Sequence, residues 1–150
     1  MTKKFTTKSA LGTKKLGREI AKKICSQKGA IVLGLIGELG AGKTTFVQGF
    51  AKGLGIENKI LSPTFVILKK FEISKSEIKF RNFFHIDCYR LNKGKELLDL
   101  GFKEIILSPE NIILIEWPKK VKSILPKDAM FLNFKFVNMN TREIIWTKKP

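Results

Sequence analysis

The sequence predicts an α/β layered fold, with a mixed, mainly parallel sheet flanked by helices, on three observations. A nearly all-apolar run, Ala30-Ile31-Val32-Leu33-Gly34-Leu35-Ile36, reads as a strand covered on both faces. A glycine-rich turn follows directly and opens a run whose apolar residues, Phe46, Val47, Phe50, Ala51 and Leu54, fall at helical spacing. Strand-like and helix-like segments are then interspersed along the rest of the chain, the pattern of helices layered on a sheet. With 150 residues, 43% of them hydrophobic, the chain can bury one core but not two, so residues 1–150 are expected to form a single domain.

The elements follow in order. Ser9 to about Lys28 reads as an amphipathic helix, with Leu11, Leu16, Ile20, Ala21 and Ile24 on one face, Ser9 as its N-cap and Gly29 as its stop. Ala30 to Ile36 is the expected central strand. The second helix runs from Thr44 to about Leu54 and ends at Gly55. Ser62-Pro63-Thr64 signals a loop, and the β-rich runs Phe65–Ile73 and Ile78–Asp87, parted by the polar Ser74-Lys75-Ser76-Glu77, predict a hairpin. Asn92 is expected to cap a short helix through Glu96, Leu97, Leu98 and Leu100, ending near Gly101. Asn111 to Ile115 repeats the buried-strand pattern and stops at Glu116-Trp117-Pro118, where proline ends the ladder. Ala129–Val137 and Arg142–Thr147 read as two strands across the turn Asn138-Met139-Asn140. Met1–Ala10 is polar and lysine-bearing, and no element is assigned to it from the sequence.

A formal net charge of +16, from 29 Lys and Arg against 13 Asp and Glu, attracts polyanions such as RNA, ATP or an acidic protein. The excess is made of 25 Lys and only 4 Arg. It therefore fits either a nucleic-acid-facing patch or an ordinary solvated lysine surface. Scarce arginine argues against direct reading of base edges, and hence against DNA as a partner. Met1–Ala10 is not followed by the apolar stretch of a signal peptide, and no apolar run approaches the roughly eighteen residues of a membrane span. A cytoplasmic protein with no membrane partner is expected. Cys25 and Cys88 lie far apart and suggest neither a disulfide nor a thiolate metal site.

The turn after the central strand is Gly37-Glu38-Leu39-Gly40-Ala41-Gly42-Lys43-Thr44, which fits G-x-x-x-x-G-K-[ST] and makes the fold class P-loop NTPase-like. Gly37, Gly40 and Gly42 allow successive N–H groups to turn inward toward phosphate oxygens. The helix behind them adds the positive end of its dipole. Lys43 would reach the β- and γ-phosphates, and the Thr44 hydroxyl suits Mg²⁺. Such a loop needs an acid at another strand tip to hold the metal and a group to orient the attacking water. Asp87 ends Phe83-Phe84-His85-Ile86-Asp87 and Glu116 ends Ile112-Ile113-Leu114-Ile115-Glu116, so both are candidates if their strands run parallel to the first. Thr64 lies where a γ-phosphate-sensing switch would sit. His85 shares a face with Asp87, though a lone histidine more often serves packing. Trp117 suits stacking on a base or a partner, or half-buried packing.

Four segments in this order, Gly37-Glu38-Leu39-Gly40-Ala41-Gly42-Lys43-Thr44-Thr45, Ser62-Pro63-Thr64-Phe65, His85-Ile86-Asp87-Cys88-Tyr89-Arg90-Leu91 and Glu116-Trp117-Pro118, resemble the TsaE family of bacterial P-loop ATPases. The resemblance spans roughly Thr13 to Pro118. It implies an ATPase, weak alone, that assists a TsaB–TsaD pair in making threonylcarbamoyladenosine beside the anticodon of tRNA, with tRNA an indirect or transient partner. It implies ATP and Mg²⁺ as cofactors, nucleotide contacts from Gly37, Gly40, Ala41, Gly42, Lys43, Thr44 and Thr45, and metal ligation by Thr44 and Glu116. Asp87, Glu116 and Lys43 become the catalytic set, Ser62 and Thr64 the first switch. Thr13, with Leu16-Gly17 behind it, matches an N-terminal nucleotide contact. The chain departs from the usual pattern at Glu38, where Asp is common, and at Lys119-Lys120, where an acid commonly follows the E-W-P triplet.

Two other functions use the same loop. A nucleotide-gated scaffold would make hydrolysis incidental. A small-molecule kinase needs an arginine-bearing lid, and Arg18, Arg81, Arg90 and Arg142 are scattered along the chain.

Overall fold

A computed structural model describes residues 2–61 and 67–150. Its seven-stranded sheet has the order β1-β7-β6-β2-β5-β4-β3, with β1 at Lys3–Thr7, β2 at Ile31–Ile36, β3 at Leu68–Glu72, β4 at Asn82–Asp87, β5 at Asn111–Glu116, β6 at Met130–Phe136 and β7 at Arg142–Thr147. The block β6-β2-β5-β4 is parallel throughout, and β3, β7 and β1 join its margins through antiparallel pairs. The mixed, mainly parallel sheet is as expected. β2 lies at its centre.

The apolar runs of β2 and β5 are explained by period two with both faces covered. Ile31, Leu33, Leu35, Ile112 and Leu114 pack with Leu16, Ile20, Phe46 and Phe50 of the helices α1 (Ala10–Ile24) and α2 (Lys43–Gly53). Val32, Ile113 and Ile115 point the other way, against Leu97 of α3 (Gly94–Leu98), Phe102 of α4 (Phe102–Leu107) and Val121 of the 3-10 segment Pro118–Ile124. Helices α1 and α2 press close because Gly17 and Gly49 face each other's helix: a Cβ on Gly49 would run into the backbone of Lys14, and one on Gly17 into that of Phe46.

Several boundaries differ from expectation. Ser9 does cap α1, its hydroxyl accepting from Gly12 N–H at 2.9 Å, but the helix ends at Ile24 and Leu11 is 78% exposed. Lys93, not Asn92, is the N-cap of α3, and the Glu96 carboxylate accepts from the N–H groups of Asn92 and Lys93. The helix expected to end near Gly101 closes earlier, at Leu98, and left-handed Gly101 opens a further helix, α4, that the sequence reading did not include. The hairpin is real but its strands are shorter than the β-rich runs. β1, made of Lys3–Thr7, pairs with β7 although its polar sequence gave no strand signal; an edge strand needs only a backbone partner.

Candidate functional site

The loop between β2 and α2 stands at the carboxyl end of the central strand. Gly42, the residue before Lys43, has φ 98°, and Gly40 has φ 79°. A side chain at either would be strained, so glycine at these positions lets the backbone turn from strand to helix within a few residues. Ala41 turns its methyl into the core and its N–H donates to the Glu38 carbonyl at 3.1 Å. The Lys43 ammonium donates to the Gly37 carbonyl and lies 4.3 Å from the centre of the Trp117 indole. Burial lowers the Lys43 pKa, opposed by the nearby Glu116, Asp87 and Glu38 carboxylates.

The two strand-tip acids stand where a parallel arrangement requires. β4 and β5 both run parallel to β2 by way of β5, and Asp87 pairs directly with Glu116 in their register. The Asp87 carboxylate accepts from Tyr89 N–H at 2.9 Å. Glu116 is held by His85, whose Nε2 lies 2.9 Å from Oε2. Both carboxylates are buried residues, Asp87 at 6% and Glu116 at 4% exposure, and together with the loop they line one cavity. Its volume is about 450 Å³, and its walls include Gly40, Gly42, Lys43, Thr44, Thr45, Asp87 and Glu116. Trp117, the candidate for stacking, also lines it, and so do Tyr89 and Arg142, to which the sequence reading gave no role in the site.

Trp117 has φ 59° and ψ 49°, a left-handed conformation that no other non-glycine among the described residues adopts. Such a conformation costs about 1–3 kcal/mol and persists only where its surroundings enforce it. Pro118 starts the 3-10 segment immediately after it, and the indole is set between Lys43 and the Tyr89 ring, 5.2 Å away. Arg142 reaches from β7 to the loop, its Nη2 donating to the Gly40 carbonyl at 3.1 Å and its Nη1 to the Asn138 carbonyl at 2.7 Å. Nothing in the spacing of the four arginines signals this contact, because it is made across 102 positions of sequence.

Thr13 lies apart from the main cavity. Its hydroxyl is 2.8 Å from that of Thr7 and donates to the Ser9 carbonyl, and it borders an adjoining hollow of about 150 Å³ that shares Gly42, Thr45 and Arg142 with the main one. Gly17 behind it serves helix packing. Ser62 and Thr64 fall outside the described residues.

The donor set is suited to a hard cation. Thr44 offers a hydroxyl and Glu116 and Asp87 offer carboxylates, oxygen groups of the kind Mg²⁺ takes. Among the described residues no cluster of three or more His, Cys, Asp or Glu could hold a metal by itself.

A parallel sheet centre, a G-x-x-x-x-G-K-T turn between its middle strand and the next helix, and acids at neighbouring strand tips define an α/β protein of the P-loop type. The family model "Threonylcarbamoyl adenosine biosynthesis protein TsaE" matches residues 7–144, and the chain belongs to the TsaE family. It is 42% identical over 104 residues to the tRNA threonylcarbamoyladenosine biosynthesis protein TsaE of Borreliella burgdorferi, covering 69% of this chain and 72% of that protein. The protein of the same name from Treponema pallidum is 33% identical over 138 residues, 92% of this chain and 95% of its own. The crystal structure of Bacillus subtilis YdiB superposes with a TM-score of 0.78 at 30% identity, covering 98% of this chain and 85% of that one.

Proposed function

We propose that this chain is a Mg²⁺-dependent ATP hydrolase that assists a TsaB–TsaD pair in threonylcarbamoylation of tRNA in the cytoplasm. One observation carries the catalytic part of this reading: Lys43, Thr44, Asp87 and Glu116, brought from three separate segments, line a single cavity at the carboxyl ends of β2, β4 and β5. The tRNA-modifying role is carried by membership of a family whose curated members bear that name. No helix among the described residues is long and apolar enough to cross a membrane.

In this reading the loop N–H groups and the α2 N-terminus receive the phosphates, and Lys43 leaves the Gly37 carbonyl to meet the β- and γ-oxygens. Thr44 and Glu116 would hold Mg²⁺, which when bound offsets charge between the phosphates. Asp87, fixed by Tyr89 N–H, orients water and accepts its proton. Arg142 braces the loop through Gly40 and offers a guanidinium at the cavity wall.

Reconstituted tRNA modification tests this reading with wild type, Lys43→Ala and Glu116→Ala. Both variants are expected to abolish modification and hydrolysis together. Modification that persists with a protein able to bind ATP but not hydrolyse it would instead establish the scaffold reading, and phosphate transfer to a metabolite the kinase reading.

A further inference from the structure

We propose that His85 is the positioning residue for Glu116, holding one carboxylate oxygen so that the side chain meets the metal in a single orientation. This rests on Glu116 being the metal-facing carboxylate.

Geometry carries the inference. In the β4–β5 register His85 pairs with Leu114, two residues before Glu116. His85 and Glu116 are therefore diagonal neighbours on the same face of the sheet. Their side chains are 1% and 5% exposed, and Nε2 stands 2.9 Å from Oε2. The ring plane is set by Phe83, stacked at a centroid distance of 6.3 Å and an interplanar angle of 14°. The other nitrogen, Nδ1, is buried with no hydrogen-bond partner among the described residues. A proton on Nδ1 would bury a donor with nothing to accept from it, whereas a proton on Nε2 leaves only an unmatched lone pair. The ring thus acts as a single fixed donor aimed at Glu116.

This arrangement matters because Mg²⁺ demands near-ideal octahedral geometry, while a glutamate has three rotatable bonds and a cation, Lys43, near enough to attract it. A carboxylate anchored at one oxygen keeps its direction. Groups that orient metal ligands in this way change metal affinity or activity about 10–100-fold when removed. His85 touches neither nucleotide nor metal and acts only through Glu116.

The test uses the full chain and Mn²⁺ as a paramagnetic probe, titrated by electron paramagnetic resonance with a non-hydrolysable ATP analogue present. Analogue binding in EDTA is measured alongside. His85→Phe keeps the ring and its stack but deletes the donor, and is expected to weaken Mn²⁺ binding about 10–100-fold with analogue binding in EDTA unchanged. His85→Gln replaces a donor near Nε2 and is expected to recover most of the loss. His85→Asn is polar but too short, and should behave like His85→Phe. If His85→Phe does not fold, the contrast between Gln and Asn decides. Equal Mn²⁺ affinity in those two, or wild-type affinity in His85→Phe while Glu116→Gln loses the ion, overturns the inference. Wild-type Mn²⁺ binding by Glu116→Gln itself would overturn the underlying metal assignment instead.

Discussion

Asp87 and Glu116 pair across the β4–β5 ladder, each the last residue of its strand, and both line the cavity that Lys43 also lines. A backbone N–H two residues on fixes Asp87, and the His85 ring fixes Glu116. In the proposed reading Asp87 handles water and Glu116 holds the metal. Asp87→Asn should therefore leave Mg–nucleotide affinity near wild type while lowering turnover about 10²-fold or more. Paired binding and single-turnover measurements check this; equal losses in both quantities would place Asp87 on the metal.

Lys43 is 6% exposed and already committed to Gly37 and Trp117 before any phosphate arrives. Lys43→Met keeps the buried stem and removes the charge. We expect the fold to survive, seen as an unchanged far-ultraviolet spectrum, and ATP affinity to fall about tenfold or more, the 1.4 kcal/mol or greater typical of a lost charged hydrogen bond. Calorimetric titration reads it.

Arg142 braces Gly40 and Asn138 through different nitrogens, a use of the planar fork that an ammonium does not reproduce. Arg142→Lys should accordingly resemble Arg142→Ala, with faster amide hydrogen exchange in residues 38–42 and weaker nucleotide binding. Full rescue by lysine would reduce the residue's role to its charge.

Gly49 leaves no room for a side chain where α2 crosses α1. Gly49→Ala should destabilise the protein by about 1–3 kcal/mol despite alanine's better helix propensity, because overpacking against backbone cannot relax by a rotamer change. Urea unfolding measures the difference, and a more stable variant would refute the close helix contact.

Cys88 is fully buried, and burial first, then the Asp87 charge, pushes its thiol pKa up to about 12 from an ordinary 9.0. A raised pKa favours the protonated native form, so this contribution to stability is intact below pH 9 and is lost as pH rises toward 12. At neutral pH a thiol reagent should modify Cys25, which is half-buried, well before Cys88. Mass spectrometry of a brief labelling reaction distinguishes the two.

Much of this was legible in the residues. Glycine spacing and the apolar run before it located the loop, and the strand-end positions of Asp87 and Glu116 placed both at the cavity once β4 and β5 proved parallel to β2. What stayed hidden depends on register and on pairing between distant segments. His85 looked like a packing histidine because nothing local shows that Glu116 lies diagonal to it. Arg142 seemed one of four scattered arginines, since only the β6–β7 hairpin brings it back to the loop. β1 escaped because Lys3-Lys4-Phe5-Thr6-Thr7 offers one apolar residue and no alternation, and α4 because six residues are too few to show a helical period.

The most direct measurement is phosphate release from ATP by the full chain with its TsaB–TsaD partners, in Mg²⁺ and in EDTA, for wild type and Glu116→Gln. The predicted result is turnover that requires Mg²⁺, rises with the partners and is lost in the variant. Undiminished, EDTA-insensitive turnover by Glu116→Gln would contradict the account.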